Sequence, residues 1–310
     1  MEPNKIRFVV SSKHMSLASP VFKAMLRGNF QESSKLKETC RIEIPLPDDD
    51  PNAWKILVNI IHGRYKSIPL QLELEVLTQI AVLVDKYRMH EVVYLFIPTW
   101  RKAIQYPPIQ WKATIRWICI SWVFDLPDEF QELTKKIQLE CPKSFEELLR
   151  RCNLNALPIP QLVVDKLEAS RLKALGNAFE ILGKTILQYQ NDIPNCKCDL
   201  NLDSLADGRD SHQRWCDMLV HESLVRSATK ESIFPIPKAP YDRHSFSSLH
   251  SKIKNLEIVT ACYIVSRDNV QRHQIHQSLV ESIDAVGKNF VGLQLASLKK
   301  DSIQAQCPTQ

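Results

Sequence analysis

The stretch from Ser19 to Glu32 constrains the fold most, because it marks both ends of one short helix. Ser19 followed by Pro20 predicts an N-cap and a first helical position, where the N–H that proline lacks would have no partner anyway. The following apolar residues recur at helical spacing and predict one buried face: Val21, Phe22, Met25 and Leu26. Gly28 then predicts a left-handed cap that ends the helix.

Two short segments around this helix have the composition of strands. Residues 5–10 contain the aromatic and β-branched run Phe8-Val9-Val10, and residues 41–46 alternate polar and apolar side chains. Pro45 cannot donate to a strand ladder, so we expect the second strand to lie at a sheet edge or to end there. The sequence therefore predicts a core that mixes short strands with helices.

Most of the remaining chain has the periodicity of helices. Asp50 and Pro51 predict the N-cap and first position of one helix, and this favours a capping role for the Asp48-Asp49-Asp50 run over a cation site. Further helices are predicted at residues 72–87, 89–100, 111–124, 128–140, 144–152, 161–189, 211–227 and 249–264. A seam with coiled-coil spacing in the helix at 161–189 predicts packing within the chain first, and pairing with another helix second.

Three segments in one order carry a resemblance to a known family. They are FVVSSKHMSLASPVFKAMLRGNFQES, RIEIPLPDDDPNAWKILVNIIHGRY and LELEVLTQIAVLVDKYRMHEVVYLF. Together they resemble a BTB/POZ domain, in the form common in filamentous fungi, and the rest resembles the helical tail of those proteins. The family usually has one more strand before residues 5–10, which often helps to build its dimer, so the resemblance leaves the oligomeric state open. It implies a non-catalytic protein–protein interaction module that self-associates or docks a partner.

Phe30 and Glu32 are the candidate partner-binding residues. In animal BTB adaptors of cullin ubiquitin ligases, a hydrophobic-x-acidic triplet at this place contacts the cullin, and Phe30-Gln31-Glu32 resembles it. Phe30 would then fill an apolar pocket and Glu32 would add a polar contact at the rim. The alternative is that Glu32 orients its own loop while Phe30 folds onto its own core.

A metal site is the weaker of two interpretations for a group of cysteines and histidines. Cys196, Cys198, His212 and Cys216 could hold zinc, with His221 close behind. The Cys-x-Cys spacing differs from the usual zinc knuckle, so the sequence favours ordinary buried thiols, with no metal and no cofactor.

Composition excludes several functional classes. The net charge of +5 comes from 40 basic and 35 acidic residues spread along the chain, which argues against direct nucleic-acid binding. No glycine-rich phosphate loop and no Gly-x-Ser-x-Gly elbow occurs, so we expect no enzyme. The chain lacks apolar runs of membrane-spanning length, and its nine cysteines form no paired framework, so we expect a cytoplasmic or nuclear protein without membrane contact.

The sequence thus predicts an α+β, mainly helical protein in three parts. Residues 1–104 form a BTB/POZ-like domain without the usual first strand, and residues 105–190 form a helical extension, with the breaker Tyr106-Pro107-Pro108 marking the boundary. Residues 191–310 combine a loop with helices and end in a frayed tail after about residue 299. We expect protein partners, with a homodimer or a cullin as the specific alternatives.

Overall fold

A computed structural model describes residues 6–104, 110–191, 193–197, 208–265 and 273–306. Its helices in chain order are α1 (Ser12–Ala18), α2 (Pro20–Arg27), α3 (Gln31–Thr39), α4 (Pro51–Ile61), the 3₁₀ helix η1 (Tyr65–Ser67), α5 (Leu74–Tyr87), α6 (His90–Val93), α7 (Ile97–Ala103), α8 (Trp111–Val123), α9 (Pro127–Glu140), α10 (Phe145–Arg151), α11 (Gln161–Gln188), α12 (Gly208–Lys230), α13 (Phe246–Lys254), α14 (Ala261–Val265), α15 (Ile275–Lys288) and α16 (Leu295–Gln306). None of them is long and apolar enough, within the described residues, to cross a membrane.

The chain forms two compact units that interleave along the sequence. The first contains residues 1–133, 148–162 and 294–310, and the second contains residues 134–147 and 163–293. The last helix, α16, includes residues that the sequence predicted to be frayed. Each unit has its own buried apolar side chains.

An aromatic cluster lies at the centre of the first unit's N-terminal half. Phe22 stacks on Tyr87 with ring centroids 4.9 Å apart, and Trp54 meets both rings at 5.8 and 5.2 Å. Ser19 caps α2 as predicted, since its side chain accepts a hydrogen bond from the Phe22 N–H over 3.1 Å. The same hydroxyl donates to the Tyr87 carbonyl over 2.6 Å and so joins the start of α2 to the end of α5.

The predicted strands are wrong within the part of the chain that the structure describes. Residues 6–10 and 41–46 have irregular backbone, and the described residues contain no strand. Burial still alternates along residues 41–46 as the sequence pattern indicated, with Ile42 half-buried and Glu43 exposed. A strand also needs a backbone partner, and within the described residues no backbone hydrogen bond joins residues 6–10 to residues 41–46. The first unit therefore has irregular backbone at the two places where the α+β prediction expected short strands, and its regular elements in the described residues are helices.

The predicted left-handed cap at Gly28 is also wrong, although glycine is still required there. The backbone of Gly28 has φ −81° and ψ −160°, which any residue can adopt. A Cβ atom at this position would, however, collide with the Ala24 carbonyl oxygen and approach Phe30 Cδ2 to 3.3 Å. Glycine is therefore required at the corner between α2 and α3 because there is no room for a Cβ atom.

The second unit packs around α11. Four residues of the predicted seam are buried, and they join side chains of other helices in one apolar cluster: Leu175, Phe179, Leu182, Ile186, Leu224, Phe246, Leu249, Leu279 and Ile283. The seam is thus packed within the chain, which confirms the first of the two interpretations. The single helix predicted at residues 249–264 is two helices, α13 and α14.

Candidate partner-binding site

A shallow apolar groove of about 410 Å³ lies on the surface of the first unit. It is lined by Pro20, Val21, Ala24, Met25, Phe30, Glu32 and Arg88. These residues come from the outer side of α2, the corner after it, the first turn of α3 and the end of α5. Both residues that the sequence singled out, Phe30 and Glu32, therefore line one groove.

Helix α2 divides its apolar side chains between the core and this groove. Phe22 and Leu26 are buried inside the unit, whereas Val21 and Met25 are half-buried and line the groove. The division follows from helical geometry, because residues one position apart point about 100° away from each other. The aromatic contacts of Phe22 hold the inner side, so the outer side is presented on a fixed helix.

Phe30 is the N-cap residue of α3 and is 56% exposed. Its carbonyl accepts hydrogen bonds from the N–H groups of Ser33 and Ser34 over 3.1 and 3.3 Å, which fixes the first turn of the helix. Glu32 lies in that turn and is half-buried. The Phe30 side chain is thus exposed at the start of α3 and has not folded into the core.

Arg88 adds a positive charge to the lining of the groove. It ends α5 in a left-handed conformation with φ 53°, and its N–H donates to the Asp85 carbonyl over 3.2 Å. The lining of the groove is therefore mainly apolar and includes a carboxylate and a guanidinium. Such a surface fits an apolar side chain of a partner that is flanked by polar groups.

A buried carboxylate supports the helices behind the groove. Asp49 accepts hydrogen bonds from Lys86 Nζ at 2.7 Å, Trp54 Nε1 at 2.9 Å and the Tyr87 hydroxyl at 2.6 Å. Burial by itself raises the pKa of Asp49, but these hydrogen bonds outweigh it and hold the pKa below its ordinary value. The next residue in the run, Asp50, accepts from the Ala53 N–H over 2.7 Å and caps α4 as predicted.

The sequence comparison identifies the domain that carries this groove. Residues 4–96 match the family model of the BTB/POZ domain. Comparison with curated proteins and with solved structures finds no match. The BTB/POZ domain is a protein–protein interaction module, and the α2–α3 groove lies entirely within it.

Outside the BTB/POZ domain, three cysteines and one histidine form a cluster in the second unit. Cys196 and Cys216 are brought together as the sequence suggested, but Cys262 and His273 complete the group. One ligand-type atom from each of the four residues lies within 4.8 Å of all the others. Cys198 lies outside the described residues.

The two remaining histidines of this sequence region are not members of that group of four, although His212 contacts one of its cysteines. His212 Nε2 lies 3.3 Å from Cys262 Sγ, and burial followed by the nearby His273 lowers the His212 pKa. His221 is on α12 with a buried Nε2. Sequence reasoning missed Cys262 and His273 because they lie 46 and 57 residues beyond Cys216.

Proposed function

We propose that this chain uses the α2–α3 groove to dock a partner protein, and that the first partner to test is the N-terminal region of a cullin. The observation that supports the proposal is Phe30, an aromatic side chain that is 56% exposed at the edge of an apolar groove. Contiguous apolar residues at a surface mark protein–protein contacts, and Phe30 is contiguous in this groove with the half-buried Val21 and Met25.

The composition of the groove supports a protein partner over a small molecule. The groove is shallow, its walls are apolar, and the charged groups of Glu32 and Arg88 lie among its lining residues. A partner could insert an apolar side chain against Val21, Met25 and Phe30 while polar groups on its rim meet the two charges. The hydrophobic-x-acidic triplet of cullin adaptors likewise combines a hydrophobic residue with a carboxylate two positions later, as Phe30 and Glu32 do here.

In this role the chain would be a substrate adaptor of a cullin ubiquitin ligase, and it would act in the cytoplasm or the nucleus. The BTB/POZ domain would hold the cullin, and the second unit would be the place to search for a substrate site. Titration calorimetry of the full chain with the cullin N-terminal region tests this assignment. Binding at micromolar affinity or tighter supports it, and the absence of binding contradicts the ligase role.

Self-association is the second candidate, and a different observation favours it. The segment at residues 6–10 leaves several apolar side chains exposed: Ile6, Phe8, Val9 and Val10. Apolar residues clustered in this way at a surface are typical of a contact with another chain. A homodimer would have a solution mass near twice 35.7 kDa in light scattering at micromolar concentration, and a mass near 35.7 kDa would contradict it.

A further inference from the structure

We propose that the second unit contains a structural zinc site formed by Cys196, Cys216, Cys262 and His273. The three sulfurs and the imidazole nitrogen belong to four separate segments, yet they converge on one point. Three thiolates and one imidazole form a standard ligand set for tetrahedral zinc. This assignment replaces two members of the set suggested by the sequence, Cys198 and His212, and departs from the expectation of ordinary buried thiols.

Four of the six distances between the ligand atoms agree with those around a tetrahedral zinc ion, and the other two are within 4.8 Å. Zinc bonds of about 2.3 Å to sulfur and 2.0–2.1 Å to nitrogen place two sulfurs about 3.8 Å apart, and a sulfur and a nitrogen about 3.5–3.6 Å apart. Cys262 Sγ lies 3.6 Å from Cys196 Sγ and 3.7 Å from Cys216 Sγ. His273 Nε2 lies 3.6 Å from both Cys196 Sγ and Cys216 Sγ.

These separations do not describe disulfide bonds. An S–S bond is about 2.05 Å long, and the measured sulfur separations of 3.6 and 3.7 Å are much greater. Cys262 Sγ is close to two other sulfurs at once, whereas a disulfide bond joins only two sulfurs. The arrangement is that of several ligands around one centre.

Burial indicates a closed structural site. Cys196 is 2% exposed and Cys216 and Cys262 are fully buried, while His273 is half-buried. With four protein ligands no position remains for a substrate or a reactive water, as in zinc sites that stabilise folds. The apolar cluster at this place is small, consisting of the three cysteines and Ala261 with Leu219 packed against them.

One carboxylate connects the segments that carry two of the ligands. Asp217, the residue after Cys216 on α12, accepts hydrogen bonds from the N–H groups of Asn195 and Cys196 at 2.5 and 3.1 Å. This carboxylate ties the segment of Cys196 to the helix that carries Cys216. Zinc would then join both to Cys262 in the short helix α14 and to His273, which lies just before α15.

His212 has a supporting position in this arrangement. Its Nε2 approaches Cys262 Sγ at 3.3 Å, a distance at which a ring N–H can donate to a thiolate. Groups that hydrogen-bond a metal ligand orient it and tune its basicity without binding the metal themselves. The structure therefore assigns His273 as the ligand and His212 as a positioning residue for Cys262.

Metal analysis of the full chain, purified from zinc-supplemented cells without chelator, tests the site. We expect about one zinc per chain, as a single tetrahedral site requires. Chelation should lower the melting temperature, and added zinc should restore it. Three results would overturn the assignment: a zinc content far below one per chain, a melting temperature that chelator does not change, or stoichiometric iron in place of zinc.

Substitutions then test the ligand set. Cys262→Ser and His273→Asn should lose most of the zinc, whereas Cys141→Ser, a buried cysteine elsewhere in the same unit, should retain it. His212→Asn should still bind zinc. The ligand set would be contradicted if His212→Asn lost its zinc while His273→Asn kept all of it. Should the ligand variants fail to fold, cobalt substitution of the unaltered chain decides: a tetrahedral thiolate spectrum supports the site, and an octahedral one overturns it.

Discussion

The hydroxyl of Tyr87 donates a hydrogen bond to Asp49 Oδ2 over 2.6 Å, and this contact joins the end of α5 to the loop before α4. The Asp49 side chain is only 2% exposed, so its charge depends on this donor and on Lys86 and Trp54. Arg88, which lines the α2–α3 groove, directly follows Tyr87 in the chain. The buried carboxylate thus supports the residues on which the groove depends.

Replacing this carboxylate should destabilise the first unit. Asp49→Asn leaves one acceptor oxygen for three donors and removes the charge that Lys86 meets, so we expect a loss of about 1–3 kcal/mol in the free energy of unfolding. Urea denaturation at neutral pH measures it. Asp48→Asn is the matched control, because Asp48 is exposed, and equal stability of the two variants would contradict the role given to Asp49.

The same carboxylate should contribute to acid sensitivity. Its pKa is lower in the folded chain than its ordinary value of 3.8, so its contribution is fully present above that value and is lost as the pH falls through the lower folded pKa. The stability difference between the unaltered chain and Asp49→Asn should therefore shrink below about pH 3.8. Denaturation series at several pH values check this, and a constant difference would contradict it.

The Ser19 side chain should stabilise the chain more than an ordinary helix cap. Ser19→Ala removes both the cap of α2 and the bond to the Tyr87 carbonyl, and we expect a cost of about 1–2 kcal/mol. Ser11→Ala is the control, since Ser11 caps α1 through a longer 3.5 Å contact that is exposed. Denaturation midpoints in urea compare the two variants, and an equal loss would contradict the role of the buried hydroxyl.

Two glycine substitutions should have opposite effects. Gly28→Ala forces a methyl group against the Ala24 carbonyl, so we expect a loss of about 1–3 kcal/mol. Gly183→Ala meets only Ile236 Cγ1 at 3.7 Å, an ordinary contact, and should gain up to about 1 kcal/mol from helix propensity. Thermal unfolding of the two variants measures both effects, and a stabilising Gly28→Ala would show that space does not select glycine at this corner.

Local signals in the sequence predicted much of this fold. The helix caps at Ser19 and Asp50 were predicted from residues that are close neighbours in the chain. Most helix positions were predicted in the same way. Phe30 was singled out by its resemblance to the triplet of cullin adaptors, and the structure leaves its side chain 56% exposed. The predicted strands failed since pairing depends on a distant partner, which the alternation along residues 41–46 does not reveal.

The cysteine cluster shows the limit of such local reasoning. Cys196 and Cys216 are separated by 20 residues, and Cys262 and His273 lie much further along the chain. Spacing motifs recognise zinc ligands that come from one turn or one hairpin. A set assembled from four elements becomes visible only when their packing is known.

The affinity of the cullin N-terminal region for three forms of the full chain tests the central claim most directly. Phe30→Ala should weaken binding at least tenfold, about 1.4 kcal/mol, because it removes the aromatic anchor of the groove. Leu17→Ala should leave affinity unchanged, because Leu17 is 82% exposed on α1 and does not line the groove. Equal affinity of the unaltered chain and Phe30→Ala, or no binding by any form, would contradict the account.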